Sequence, residues 1–193
     1  MAETAIKNPK ARTGDPMAPA SSAERRKKRP GSASEYKKSL VEKQTLKHLY
    51  GMTEKQFKRY VTGAMESIGK GNMPDQLMNR LERRLDNVIF RAGFAKTRAQ
   101  ARQLVSHAYF TVNGTPVNIA SYKVEIGDVI ALKPTKTKKL IFKDLVDTLK
   151  KHQAASWLKL DTDALKVEVT GEPNFATANP PVEISLIFEF YSR

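Results

Sequence analysis

Residues 74–117, PDQLMNRLERRLDNVIFRAGFAKTRAQARQLVSHAYFTVNGTPV, change their period partway along, and that change decides the fold. Pro74 suits the first turn of a helix. Leu77, Met78, Leu81, Leu85, Val88, Ile89 and Ala92 then share one face at about 100° per residue, which predicts one helix running from Pro74 to Ala92. Its other faces are sorted by charge. Arg80, Arg83, Arg84, Asn87 and Arg91 fall in one arc, with Asp75, Glu82 and Asp86 between that arc and the apolar stripe. After Gly93, Thr97 and Gln100 make a capping-box pattern; Ala101, Leu104 and Val105 pack, while Arg98, Arg102 and Ser106 line the opposite side. The period then drops to two. Tyr109 to Val112 reads as a strand, Asn113-Gly114 as the two-residue turn of a hairpin, and Thr115 to Val117 as the return strand, placed at a sheet edge by Pro116.

Upstream, helical periodicity runs from Ser34 to Tyr50 and stops at Gly51, a residue suited to the left-handed position after a helix. Thr53 and Gln56 open a second helix whose buried stripe is Phe57, Tyr60, Val61, Ala64, Met65 and Ile68, ended by Gly69 and Gly71. Residues 1–33 mix Pro9, Pro16, Pro19 and Pro30 with the run Arg25 to Arg29 and offer little to bury, so they read as a flexible basic arm. Downstream, Val124 and Ile126 lead through Gly127-Asp128 to a strand at Val129 to Leu132. Lys133, Lys136, Lys138 and Lys139 follow, then a helix from Leu140 to His152 and short strands at Trp157 to Leu160 and Leu165 to Val169, which complete a small antiparallel sheet. After Pro180-Pro181 the chain reads as a short helix, although Ile184 to Phe190 also tolerate a strand.

Composition bounds what such a chain does. With 34 Lys and Arg against 20 Asp and Glu the formal net charge is +14, and residues 37–107 alone hold 15 basic and 6 acidic side chains. The positive field is therefore central to the fold, and a polyanion is the first partner to consider. A hydrophobic content of 40% supplies a core. The absence of cysteine removes disulfides, thiol catalysis and cysteine zinc sites. The longest apolar run, Val129 to Leu132, is far short of the roughly 18 residues of a membrane span, so no membrane partner is expected. His48, His107 and His152 lie on separate segments without a second ligand at metal-binding spacing, and Gly69 and Gly71 lack the strand and Lys-Ser/Thr pair of a phosphate loop. The carboxylates lie on charged helix faces or in turns such as Asp128. No cofactor, metal or catalytic residue is expected.

The joined arginine edges of the Pro74 and Thr97 helices, with Lys43, Lys47, Lys55 and Arg59, form the candidate RNA-binding surface, because the planar guanidinium fork binds phosphate bidentately. The helix starts near Pro74 and Thr97 add unpaired N–H groups. Of the aromatics placed to stack on bases, Tyr50, Tyr60, Phe94 and Tyr109, the apolar-face positions of Tyr60 and Phe94 read as core. The full candidate set is Lys43, Lys47, Tyr50, Lys55, Arg59, Arg80, Arg83, Arg84, Arg91, Lys96, Arg98, Arg102, His107, Asn113 and Lys133.

The stretch Arg84-Leu85-Asp86-Asn87-Val88, followed in order by Gly93-Phe94, Thr97-Arg98, Ala101-Arg102-Gln103-Leu104-Val105-Ser106-His107, Val112-Asn113-Gly114 and Val117-Asn118-Ile119-Ala120-Ser121-Tyr122, resembles the bacterial small-subunit ribosomal protein four family. Glu42-Lys43-Gln44, Tyr50-Gly51, Gln56-Phe57, Trp157-Leu158 and Glu189-Phe190-Tyr191-Ser192-Arg193 support it, over about residues 36–193. The resemblance implies an α+β fold: a helical domain (36–85 and 176–193) with an inserted RNA-binding domain (86–175) made of a helix pair packed on a small antiparallel sheet; the flexible basic arm (1–35) precedes it by composition alone. It also implies binding to small-subunit ribosomal RNA at a helix junction, nucleation of subunit assembly, a place at the messenger RNA entry, contact with small-subunit ribosomal protein five, and a cytoplasmic, ribosome-bound location. Family members often begin with a longer segment that sometimes holds zinc through cysteines, which this chain lacks. Two alternatives carry the same small module. One is an RNA-modifying enzyme or tRNA synthetase, disfavoured because only 60 residues follow Lys133. The other is a free-standing RNA chaperone, disfavoured by the helical N-terminal half.

Overall fold

The computed structural model describes residues 34–67, 71–137, 139, 142 and 145–192. The expected arm over residues 1–33, and Ile68, Gly69, Lys138 and Leu140, lie outside the described residues. The first two helices form as their caps dictate. In α1 (Glu35–Leu49) the Ser34 side chain accepts from the Lys37 N–H at 3.4 Å, and Gly51 follows the C-cap Tyr50 at φ +58°. In α2 (Glu54–Glu66) Thr53 and Gln56 exchange both hydrogen bonds of the capping box. The third helix, α3 (Met73–Glu82), has Pro74 in its first turn.

The single helix expected from Pro74 to Ala92 is a correction. It breaks after Glu82: Arg83 caps α3, Arg84 is extended at φ −73° and ψ 136°, and α4 (Leu85–Arg91) restarts behind it. The break persists because its backbone groups find partners elsewhere. Arg84 makes an isolated antiparallel bridge with Lys123, Val124 N–H donates to the Arg83 carbonyl at 2.9 Å, and Leu85 and Asp86 N–H donate to the carbonyls of Tyr122 and Ala120. The one arginine arc of the sequence is thus split between two helices.

Helix α5 (Arg98–Ser106) pairs with α4 and leads into β1 (Phe110–Val112), β2 (Thr115–Pro116) and β3 (Val129–Leu132). Asn113 and Gly114, at φ +49° and +82°, form the tight turn between β1 and β2. Short α6 (Pro134–Thr137) and α7 (Leu145–Lys151) precede β4 (Leu158–Asp161) and β5 (Lys166–Val169), and α8 (Phe175–Ala178) and α9 (Ile184–Ser192) follow them. The sheet is antiparallel throughout with order β2-β1-β3-β5-β4, so Pro116 does sit on an edge strand. The open choice at the C-terminus resolves to helix. The fold is α+β, and among the described residues no helix is long and apolar enough to cross a membrane.

Two hydrophobic cores result. Leu46, Phe57, Val61, Leu77, Met78 and Leu81 of the first three helices are closed by Ile184, Ile187 and Phe188 of α9. Leu85, Val88, Ile89, Ala101, Leu104 and Val105 pack instead on Phe110, Ile130, Trp157 and Val167 of the sheet side. Each fully buried aliphatic or aromatic side chain contributes about 1.5–3 kcal/mol by leaving water. Between the cores lies a polar seam. Of seven buried polar or charged side chains among the described residues, five fall in 82–87: Glu82, Arg83, Arg84, Asp86 and Asn87.

Candidate nucleic-acid interface

Burial of charge is tolerated only with opposite charge and hydrogen bonds around it, and the seam supplies both. Glu82, fully buried at the end of α3, accepts from Arg91 Nε and Nη2 at 2.9 and 2.8 Å, from Asn87 Nδ2 at 2.7 Å and from the Tyr50 hydroxyl at 2.5 Å. Asp86 accepts from both Arg84 Nε and Nη2 at 3.1 and 2.9 Å, and from Arg102 Nε and Nη2 at 3.1 and 2.9 Å. Two carboxylates therefore hold three arginines directly. A fourth, Arg98, has its Nη2 4.0 Å from Glu82, donates from Nε to Asn87 Oδ1 at 2.9 Å, and lies over the Tyr50 and Phe90 rings at 4.8 and 4.4 Å. Burial pushes the Tyr50 phenol above its usual range, and the neighbouring Glu82 pushes it further. Burial draws the Arg98 guanidinium down, opposed by Tyr50 and Glu82. Arg91 and Arg84 are raised: burial opposes this, and their carboxylate partners outweigh it.

The same arginines join the two cores. Arg102 of α5 donates from Nη2 to the Tyr50 carbonyl at 2.9 Å and from Nη1 to the Gly51 carbonyl, gripping the turn between α1 and α2. Arg91 reaches the Ala178 carbonyl at 3.1 Å, and Arg84 Nη1 donates to the Tyr60 hydroxyl at 2.8 Å.

Two grooves open beside the seam. The first is lined by Gln56, Arg59, Tyr60, Arg80, Arg84 and Ser121, and continues past Arg83 and Lys123 to Glu172. The second is lined by His48, Tyr50, Gly51, Phe90, Lys96, Thr97, Arg98 and Arg102. Each has a charged wall held from behind by a buried acid, an arrangement suited to phosphate because the guanidinium planes are fixed before a ligand arrives.

The fifteen sequence candidates separate on this map. Arg59, Arg80, Arg83 and Arg84 converge on the first groove; Tyr50, Lys96, Arg98 and Arg102 converge on the second. Lys55, Arg59 and Lys96 are exposed, whereas Lys43, Tyr50, Arg83 and Arg84 are buried and not open surface, a correction to the arc of solvent-facing arginines. Arg83 donates to the Val124 carbonyl at 2.7 Å and pairs with Glu125 and Glu172. Lys43 and Lys47 pair with Glu54 at 2.8 and 3.2 Å, Lys43 also lying over the Phe190 ring at 4.3 Å. Arg91 is part-buried, pairs with Glu82 and lines neither groove. Asn113 is spent in its hairpin, donating to Asp128 and accepting from the Val129 N–H. His107, exposed beside Tyr109, and Lys133, after β3, line neither groove.

The start of α5 is capped, whereas that of α3 carries no side-chain cap. The Lys96 N–H donates to Gln100 Oε1 and the Gln100 N–H to Thr97 Oγ1, while Asp75 in the first turn of α3 accepts from the Phe175 N–H. Tyr60 is half-buried and Phe94 buried. Sequence reasoning passed over His48, Gln56, Ser121 and Lys123 as groove residues. Gln56 reads as a cap and not as a groove residue, and Ser121 and Lys123 reach the groove through the bridge to Arg84, which leaves no periodic signal.

Comparison with known proteins agrees with this layout. A family model described as the S4 domain matches residues 83–130, and one described as the ribosomal protein S4/S9 N-terminal domain matches residues 5–85. The two matches meet at the seam, and the second begins well upstream of residue 36. The chain is 46% identical over 162 residues to the small ribosomal subunit protein uS4 of Roseiflexus castenholzii, covering 83% of this chain and 78% of that one. It is 46% identical over 160 residues to uS4 of Persephonella marina, at 82% and 77% coverage. Against uS4 of Caldicellulosiruptor saccharolyticus it is 42% identical over 178 residues, at 92% and 83% coverage. At that identity, over most of both chains, this protein belongs to the uS4 family of small ribosomal subunit proteins.

Proposed function

We propose that the chain is a structural, non-enzymatic component of the small ribosomal subunit that binds small-subunit ribosomal RNA through the two grooves beside the seam. The observation that carries this reading is that buried Asp86 fixes Arg84 in the wall of the first groove and Arg102 in the wall of the second, with Arg98 of the second groove beside buried Glu82. A cation oriented in advance adds binding strength because less side-chain freedom is lost when phosphate arrives. The two hydrophobic cores support a division into a helical domain (36–85 and 176–193) and an inserted domain (86–175). The family resemblance supports the finer reading: attachment at a helix junction early in subunit assembly, a position near the messenger RNA entry, and contact with small-subunit ribosomal protein five.

The test is filter binding of the full chain to a small-subunit ribosomal RNA junction fragment across a salt titration, with co-sedimentation on small subunits. Neutralising about six phosphates gives a slope of log K against log salt of about −4 to −5. A slope near zero, or failure to co-sediment, contradicts the proposal.

A further inference from the structure

One uncharged side chain in the seam links the buried acid to the open groove. Asn87 is 1% exposed. Its Nδ2 donates to Glu82 Oε2 at 2.7 Å and to the Glu82 carbonyl at 3.1 Å, and its Oδ1 accepts from Arg98 Nε at 2.9 Å. Donors and acceptors are matched only in this sense, since turning the amide over would set N–H against the Arg98 Nε–H and oxygen against a carboxylate. The rings of Tyr50 and Phe90 hold the guanidinium of Arg98 by attraction to their faces, which fixes where the cation sits but not where its N–H groups point. Glu82 lies 4.0 Å from Nη2, beyond hydrogen-bond reach. Tyr50 and Glu82 also pull on the guanidinium, and the hydrogen bond from Nε to Asn87 is its short, directional contact.

Resting on the reading that the grooves bind ribosomal RNA, we infer that Asn87 is a positioning residue for phosphate recognition: it aims the Nη edge of Arg98 at one phosphodiester in the second groove. Direction matters for a phosphate at a defined place in a folded RNA and not for a flexible chain, which brings its phosphates to wherever the charge is. Asn87 therefore acts on discrimination between folded and unstructured RNA. It does not change the number of counterions released, because the charge of Arg98 is unaltered.

The experiment compares the full-length wild type, Asn87→Ala, Arg98→Lys and the double variant on a small-subunit ribosomal RNA junction fragment and on a scrambled RNA of equal length, each over a range of salt. Asn87→Ala is expected to lose about tenfold on the junction, keep its affinity for the scrambled RNA and keep the salt slope. Arg98→Lys should lose about as much, since an ammonium is a point charge without a fork. The double variant should lose no more than either single one, because both remove the same aimed contact. The inference is overturned if Asn87→Ala binds the junction like wild type, if both RNAs weaken alike, or if the two losses add. Should Asn87→Ala not fold, two measurements with Asn87 in place decide it. The Arg98 Nε–H of the wild type should exchange with solvent far more slowly than that of exposed Arg59, and Arg98→Lys should weaken the junction alone; failure of either overturns the inference. A wild type that binds neither RNA overturns the groove reading as well, which separates the two failures.

Discussion

Replacing Glu82 by Gln tests whether the polar seam holds the two cores together. The change is nearly isosteric, so no cavity opens, and what is removed is one negative charge and one acceptor oxygen. In the wild type Oε1 accepts from Tyr50 and Arg91 Nη2, and Oε2 accepts from Asn87 and Arg91 Nε. Whichever way a glutamine amide is turned, its NH2 faces one of the two Arg91 N–H groups, so a bidentate pair is lost together with the charge. Removing one member of a buried ion pair costs about 3–5 kcal/mol. The Arg91 side chain is 25% exposed, and water reaching it places the loss at the lower end, about 3 kcal/mol. For a chain of this size that lowers Tm by about 6–12 °C. Tyr50→Phe removes one donor and leaves the ion pair, so its loss should be smaller, about 1.5–2 kcal/mol. Urea unfolding followed by circular dichroism measures both, with an unchanged dependence on denaturant showing that the same surface is exposed. A loss below about 1 kcal/mol for Glu82→Gln would refute the claim that this carboxylate anchors the seam.

Acid should unfold the protein partly through Glu54. Burial alone would raise its carboxyl, but hydrogen bonds from Lys43, Tyr191 and Lys47 outweigh that and hold it down at about 2, against an ordinary 4.5. A depressed carboxylate stabilises above its unfolded value, and the contribution fades as pH falls from 4.5 towards 2; Glu54→Gln should flatten Tm against pH in that window and leave the profile above pH 5 parallel to wild type. At Gly93, φ is +87° and an added Cβ would lie 2.6 Å from the His152 ring, so Gly93→Ala should cost at least about 1–2 kcal/mol in urea unfolding, with Gly93→Ala/His152→Ala recovering only the contact. Arg59→Ala should reduce the salt slope of RNA binding by about one. Arg84→Ala should lower Tm, because buried Asp86 loses a partner, and should also reduce the slope by about one, because Arg84 lines the first groove.

The elements that local chemistry decides were readable from the chain. Thr53 and Thr97 cap the helices they precede, Asn113-Gly114 turns the hairpin, and Pro116 lies on an edge. The break at Arg84 was not, because Leu81, Leu85 and Val88 carry the apolar stripe straight across it. What stabilises the extended residue is Lys123, distant in sequence and on a segment of no regular period. The arginines show the same limit from the side of the site. Residue type and spacing give the position of a cation on a helix but not whether an acid from another element has been folded against it, and the pairs of Arg84 and Arg102 with Asp86 look in sequence like any charged face. Arg59 and Lys96, with no acid near them in sequence, are exposed as the pattern suggests.

The most direct measurement of RNA binding by the grooves reverses one exposed charge in each, Arg59→Glu with Lys96→Glu, and leaves every buried pair of the seam in place. Affinity for a small-subunit ribosomal RNA junction fragment at about 0.1 M salt is expected to fall at least about a hundredfold, since two attractive phosphate contacts become repulsive. The circular dichroism melt should stay that of wild type. A doubly reversed protein that folds normally and binds the fragment as tightly as wild type would show that the RNA lies elsewhere.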